Sequence, residues 1–179
     1  MFSFKGIALI LVNLLFLSAN STSGLDEETT LGHILKPGLG QLVINFAGSI
    51  VSADGSGLPA GSGTVVEGKS VYGKHCAACN GIDGQLPGNQ LAGGIGSLAT
   101  GRPLKTVGSY WPYATTLFDY IARAMPYNQE KMLSADETYA VTAYVLRLNS
   151  ILDDEARLDE KTLPQIKMPN QDGFIELIK

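Results

Sequence analysis

The stretch Cys76-Ala77-Ala78-Cys79-Asn80 decides how this sequence is interpreted. Its two cysteines are the only ones in 179 residues, and they stand three positions apart. A pair with this spacing can form a disulfide, a thiol redox centre, half of a zinc site or the two thioether bonds of a covalently attached haem. The surrounding sequence has to discriminate among these four.

Haem attachment is the favoured interpretation. A thioredoxin-like redox pair requires a βαβ context, which the sequence lacks. Zinc needs two further ligands, and only His33 and His75 are available. In the haem attachment motif the second cysteine is followed by the histidine that ligates the iron. Here that position is Asn80, a neutral amide and a poor iron ligand, so a disulfide without haem stays open as an alternative.

Neither histidine is a good replacement for the missing ligand. His75 precedes Cys76 on a predicted helix, and at about 100° per residue Asn80 lies roughly 140° further round that helix. We therefore expect His75 to be a surface residue. His33 lies in an irregular N-terminal segment and is a still weaker candidate.

Residues 1–23 are predicted to be a secretory signal peptide. Lys5 supplies the positive charge, residues 6–17 are apolar, and Ala19-Asn20-Ser21 offers a cleavage site of small residues. The apolar segment, interrupted by Asn13, is shorter than the roughly 20 residues of a membrane span. We expect an exported, periplasmic protein without a membrane span in its mature chain.

The charge balance is mildly acidic. The net charge is −4 for the whole sequence and −5 once Lys5 leaves with the signal peptide. A protein of this charge has no electrostatic footprint for nucleic acid, whose phosphates attract basic surfaces. We therefore expect no nucleic-acid partner.

A first helix is predicted from Thr64 to about His75. Thr64 and Glu67 have the spacing of a capping box, in which a hydroxyl and a carboxylate satisfy the first amide groups of a helix. Gly68 lies on the same helical face as Tyr72, which indicates close approach by another helix.

Two further helices are predicted. One spans residues 112–124, with Pro112 in its first turn and a stop at Pro126. The other starts at a second capping box, Ser134 to Glu137, and continues to about residue 149. Since no alternating apolar pattern of any length occurs, we predict an all-α fold.

The sequence divides into four parts. The signal peptide is followed by an irregular N-terminal extension at 24–63, a helical domain at 64–150 and an irregular C-terminal extension at 151–179. Residues 81–112 of the domain are rich in glycine and without periodicity, as in a loop that wraps a cofactor edge. Both extensions are expected to lie against the domain or a partner.

The order of these features resembles that of the class I cytochromes c. More specific strings are similar to the cytochrome subunit of sulfite or sulfane dehydrogenases of sulfur oxidation. These strings lie at residues 57–63, 91–94, 102–114, 123–126, 133–137 and 168–174. They cover most of the mature chain, so the resemblance implies a class I cytochrome c fold with irregular N- and C-terminal extensions.

The resemblance also implies a ligand set. It implies one haem c, bound covalently through Cys76 and Cys79, with Met125 as an axial iron ligand. Met132 and Met168 are weaker candidates for that ligand. The family's proximal histidine falls on Asn80 and is not carried over, and Asn80 itself is doubtful as a ligand.

Polar contacts to the haem are expected from a second group of residues. Arg102, Lys105, Tyr110 and Trp111 are candidates for contacts with the haem propionates, and each is equally compatible with a surface or packing role. Pro87 corresponds to the proline whose carbonyl meets the proximal ligand in related cytochromes. That contact has no purpose without a histidine.

The implied role is an electron-transfer subunit that does no bond chemistry itself. In the family the cytochrome pairs with a molybdenum-cofactor subunit of the sulfite oxidase type and passes its electrons to a periplasmic acceptor. Asn80 leaves two alternatives open. One is a haem-free structural subunit that keeps the fold and the partner surface. The other is a haem protein whose open coordination site binds a small ligand.

Overall fold

The computed structural model describes residues 50–174. The predicted signal peptide, His33 and most of the N-terminal extension lie outside this range. The elements follow in the order β1 (Ser62–Thr64), α1 (Val65–His75), α2 (Ala77–Asn80), α3 (Val107–Tyr110), α4 (Ala114–Ala124), α5 (Ala135–Leu148) and β2 (Arg157–Asp159). Short 3₁₀ turns occupy Ser97–Ala99 and Leu163–Gln165.

Both predicted capping boxes are present. At the start of α1 the Thr64 hydroxyl accepts from the Glu67 amide at 3.2 Å, and the Glu67 carboxylate accepts from the Thr64 amide at 2.8 Å. Ser134 and Glu137 make the same pair of bonds before α5, at 3.2 and 2.9 Å. These bonds satisfy amide groups that have no partner within the helix. The predicted starts of the first and third helices are therefore confirmed.

The second helix begins later than predicted. It starts at Ala114, because Tyr113 has extended backbone angles and forms an antiparallel bridge with Lys167 of the C-terminal extension. Just before it, α3 forms a short helix within the segment that was predicted to be a loop. Thr106 caps α3, with its hydroxyl accepting from the Ser109 amide at 3.2 Å.

Helices α1 and α5 cross in close contact at Gly68. A methyl group at this position would overlap the carbonyl group of Ala140 and would lie 2.9 Å from the Tyr144 Cβ. One turn further along α1, the Tyr72 ring packs against Tyr144, with 5.2 Å between ring centroids. The close approach predicted from Gly68 is thus confirmed, and it fixes the direction in which the cysteine segment leaves α1.

The C-terminal extension completes the core. Leu158, Leu163 and Met168 are buried among the helices. The fold is mainly helical, as predicted, but β1 and β2 form a two-stranded antiparallel sheet that was not predicted. Burial of Met168 in this extension also removes it from the cavity described below.

Asn149 holds the glycine-rich loop against α5. Its buried side chain donates to the carbonyl groups of Leu91 and Val145 at 3.1 and 3.0 Å and accepts from the Gly93 amide at 3.3 Å. These side-chain hydrogen bonds therefore help to fix the position of the loop on the core. Within residues 50–174, no helix is both long and apolar enough to cross a membrane.

Candidate haem site

One cavity of about 340 Å³ brings together several of the residues that the sequence singled out. Its lining includes Cys76, Cys79, Asn80 and Met125. Helices α4 and α5 and the segment between them contribute apolar side chains: Leu117, Ile121, Leu133, Val141 and Val145. The site therefore lies where the two cysteines, at the end of α1, face the helices of the core.

The cysteines stand at the junction of α1 and α2. The Cys76 amide still donates to the Tyr72 carbonyl at 2.9 Å, and the Cys79 amide donates to the Cys76 carbonyl at 3.1 Å. Cys76 is half-buried, Cys79 is exposed, and both are free thiols. One anchor point thus lies inside the cavity and the other at its rim.

Burial, with a smaller contribution from the neighbouring Cys79, raises the pKa of the Cys76 thiol to about 11. Because the thiolate is the nucleophile in thiol–disulfide exchange, a thiol that stays protonated at neutral pH is a poor redox nucleophile. No cluster of three or more His, Cys, Asp or Glu side chains in residues 50–174 could hold a metal ion. A zinc site at these cysteines consequently lacks a ligand set in this part of the chain.

Asn80 ends α2 and contributes to the cavity wall. Its side-chain Nδ2 donates to the Cys76 carbonyl at 3.0 Å. The same carbonyl accepts from the backbone amide of Asn80 at 3.0 Å, and the Asn80 carbonyl accepts from the Leu86 amide at 2.9 Å. The side chain is thus folded back onto the turn that carries both cysteines.

Met125 follows the last residue of α4. Its amide donates to the Ile121 carbonyl at 3.1 Å, and its backbone is extended, so the chain leaves the helix at this residue. Its side chain lies half-buried in the cavity wall. Met132 and Met168 are not among the lining residues, which leaves Met125 as the methionine of the site within the described chain.

The residues predicted to contact propionates separate into two groups. Trp111 and Lys105 line the cavity, whereas Arg102 and Tyr110 are not among the lining residues. Tyr110 is the last residue of α3 and Trp111 has an extended backbone, so their side chains diverge. The Tyr110 ring instead packs against Phe174, with 5.4 Å between centroids.

Two features of the lining were not foreseen. His75 is half-buried and lines the cavity, so the expectation that it is a surface residue is wrong. Residues 88–90 of the glycine-rich loop also reach the cavity, although no periodicity in the sequence marks them. One feature of the sequence could have indicated that His75 lines the cavity: it stands next to Cys76, at the point where the helix ends.

The arrangement fits a covalently bound haem at all positions but one. The cysteines are placed to hold the group at the rim, the wall is apolar, and Met125 offers a thioether sulfur, a known axial ligand of haem iron. Asn80 alone does not fit, because it presents an amide where the attachment motif has an imidazole.

Comparisons with known proteins agree with this geometry. Residues 65–149 match the family described as Cytochrome c. The chain is 42% identical to a chain in the crystal structure of the sulfane dehydrogenase SoxCD from Paracoccus pantotrophus, with a TM-score of 0.71 over 74% of this chain. It covers 66% of that chain, just under two thirds of its length.

A search of curated proteins finds no match. The family match spans the cysteine pair, the glycine-rich loop and Met125, and the structural match extends beyond it into the flanking regions. Residues 65–149 thus form a cytochrome c domain, and the two matches together support a class I cytochrome c related to that sulfane dehydrogenase chain.

Proposed function

We propose that this chain is a monohaem c-type cytochrome that serves as the electron-transfer subunit of a sulfur-oxidising dehydrogenase in the periplasm. The observation that carries the proposal is the single cavity that collects Cys76, Cys79 and Met125. A bound haem c would supply a reversible one-electron centre there. The chain itself anchors, orients and shields that centre and does no bond chemistry.

The apolar wall sets the environment of the site. The side chains of Leu117, Leu133 and Val145 are buried and keep water from the inner part of the cavity. A low dielectric around the haem disfavours the oxidised iron, which carries the higher charge. A neutral sulfur ligand also disfavours the oxidised iron. Both features stabilise the reduced state, so the reduction potential is expected to be high for a c-type haem.

Electron exchange is proposed at the rim around Cys79. This residue is exposed, whereas Cys76 is half-buried, so one edge of the site is open to the surface. Ile82 follows Cys79 by three residues and Tyr127 lines the same cavity, and these two large apolar side chains are 84% and 77% exposed. Exposed apolar groups beside a redox site are suited to contact with a partner protein.

The proposed partner is a molybdenum-cofactor subunit of the sulfite oxidase type. The similarity to a chain of a sulfane dehydrogenase supports this partner. Electrons would pass from molybdenum through the haem to a periplasmic acceptor. The predicted signal peptide supports the compartment.

Purification of the tagged full-length chain from its native cells tests the proposal. We expect covalent haem, co-purifying molybdenum in equal molar amount, and reduction of the haem on addition of sulfite or a sulfane-sulfur substrate. Haem that stays oxidised, or a preparation without molybdenum, would refute the proposed partner. The free chain serves as the control and should not be reduced by the same substrates.

A further inference from the structure

We propose that Asn80 is not an iron ligand and that the bound haem therefore keeps one axial position open to a small exogenous π-acceptor molecule, of which carbon monoxide is the simplest probe. This inference rests on the proposed function, because it presupposes haem held by Cys76 and Cys79. It concerns the coordination chemistry that the chain permits at the position where the attachment motif has histidine.

The side chain of Asn80 is committed to another contact. Its Nδ2 donates to the Cys76 carbonyl at 3.0 Å, so the amide is folded back onto its own turn. A carboxamide nitrogen is a hydrogen-bond donor without an available lone pair, and its oxygen is a neutral acceptor. The usual protein ligands of haem iron are imidazole, thiolate, thioether and phenolate groups, and an amide is not among them.

His75 is not placed to replace the missing imidazole. It also lines the cavity, but it ends α1, and the break in the helix at Cys76 separates it from Asn80 at the end of α2. It directly precedes Cys76, the anchor that fixes one side of the haem. For His75 to reach the position of the residue after Cys79, the turn at Cys76 would have to open. The hydrogen bonds of Asn80 to the Cys76 carbonyl hold that turn.

The other donor side chains of the cavity have contacts of their own. The Lys105 ammonium group lies 5.0 Å from the centre of the Tyr110 ring. The Tyr120 ring packs edge-to-face on Trp111, with 5.6 Å between centroids. Tyr127 is 77% exposed and lies two residues from Met125, in the same segment as that ligand. Among the cavity-lining residues of the described chain, Met125 thus offers the donor that best suits haem iron.

The test uses the full chain matured with its own signal peptide in cells that attach haem c. The reduced protein is mixed with carbon monoxide while its absorption and resonance Raman spectra are recorded. We expect a five-coordinate reduced form and an immediate shift of the Soret band. Asn80→His is the matched control, and it should give a six-coordinate, low-spin spectrum that carbon monoxide does not change.

Further variants separate the possible ligands. Asn80→Ala and His75→Ala should keep the spectrum and the carbon monoxide response of the parent protein. If the parent protein carries haem but is six-coordinate and inert to carbon monoxide, the inference is wrong and the proposed function stands. Loss of that six-coordinate spectrum in His75→Ala would then assign the ligand to His75. A parent protein without covalent haem would overturn both the inference and the haem-based function.

Discussion

The side-chain amide of Asn80 donates to the carbonyl oxygen of Cys76 at 3.0 Å, within the turn that presents both cysteines to the cavity. The exchange of imidazole for amide therefore leaves the local backbone intact. The turn keeps its helical hydrogen bonds, and the cysteines keep the positions needed to anchor a haem. The departure from the family motif would therefore change the ligand set of a bound haem, while the turn keeps its hydrogen bonds.

Replacement of one cysteine should weaken haem attachment by one bond. In Cys79→Ser the haem remains attached through Cys76 alone, and the retained vinyl group extends its conjugated system. We expect the bands of the reduced pyridine complex to shift to longer wavelength, as measured by absorption spectroscopy. Cys76→Ser should give the same result, and the double variant should release all haem on acid extraction. Haem that resists extraction from the double variant would contradict thioether attachment.

Removal of the Met125 sulfur should lower the reduction potential. Methionine ligation raises the potential of haem iron, and axial ligands span ~0.8 V in proteins. For Met125→Ala we expect a decrease on the order of 100 mV in a spectroelectrochemical titration. Met132→Ala is the control, because Met132 is 42% exposed and does not line the cavity. Equal potentials in the parent and Met125→Ala proteins would exclude Met125 as the ligand.

The helix crossing should tolerate no side chain at Gly68. A methyl group there overlaps the Ala140 carbonyl group, so α1 would have to move away from α5. We expect Gly68→Ala to lower the free energy of unfolding by about 2 kcal/mol, the usual cost of overpacking a core. Urea denaturation of the haem-loaded protein measures this.

Gly73→Ala provides the matched comparison in the same helix. Nothing lies within 4 Å of the added methyl group, and alanine is the better helix former. This variant should be more stable than the parent by roughly 0.5–1 kcal/mol. Equal effects of the two substitutions would show that the crossing is not a close contact.

Tyr72 should contribute a pH-dependent part of the stability. Its hydroxyl donates to the Gly81 carbonyl at 2.8 Å, and burial raises the pKa of Tyr72 to about 12. Because the folded state favours the neutral phenol, this stability is complete below the unfolded pKa of about 10 and is lost as the pH rises through about 12. Tyr72→Phe should cost about 1–2 kcal/mol at neutral pH through the unpaired carbonyl.

The alkaline decline in stability should therefore be smaller in Tyr72→Phe than in the parent protein. Denaturant midpoints measured between pH 8 and pH 12 give the comparison. Tyr127→Phe is the control, since its side chain is 77% exposed, and should follow the parent curve. If Tyr72→Phe declines as steeply as the parent, Tyr72 does not titrate with unfolding.

Local signals allowed the helices to be predicted, and non-local contacts account for the errors. The boxes at Thr64 and Ser134 are encoded within four residues, so α1 and α5 begin where expected. The late start of α4 reflects the pairing of Tyr113 with Lys167, a contact between distant parts of the chain. The pairing of β1 with β2 joins segments more than 90 residues apart, and neither has an alternating apolar pattern.

The site was predictable to a similar extent. The cysteine spacing indicated Cys76 and Cys79, the resemblance to class I cytochromes c indicated Met125 at the Met-Pro stop of α4, and all three line one cavity. Orientation was harder to predict, because side-chain direction depends on where each helix ends. The end of α3 at Tyr110 turns that ring towards Phe174 and leaves Trp111 on the cavity, and the end of α1 places His75 there as well.

The intact mass of the protein, matured with its own signal peptide in cells that attach haem c, shows whether the chain carries covalent haem. We expect the mass of the processed chain plus one haem, despite Asn80. Asn80→His, produced in the same cells, provides the standard for complete attachment. A parent protein with the mass of the bare processed chain, beside a haem-loaded Asn80→His, would contradict the account and identify a haem-free subunit that keeps the cytochrome fold.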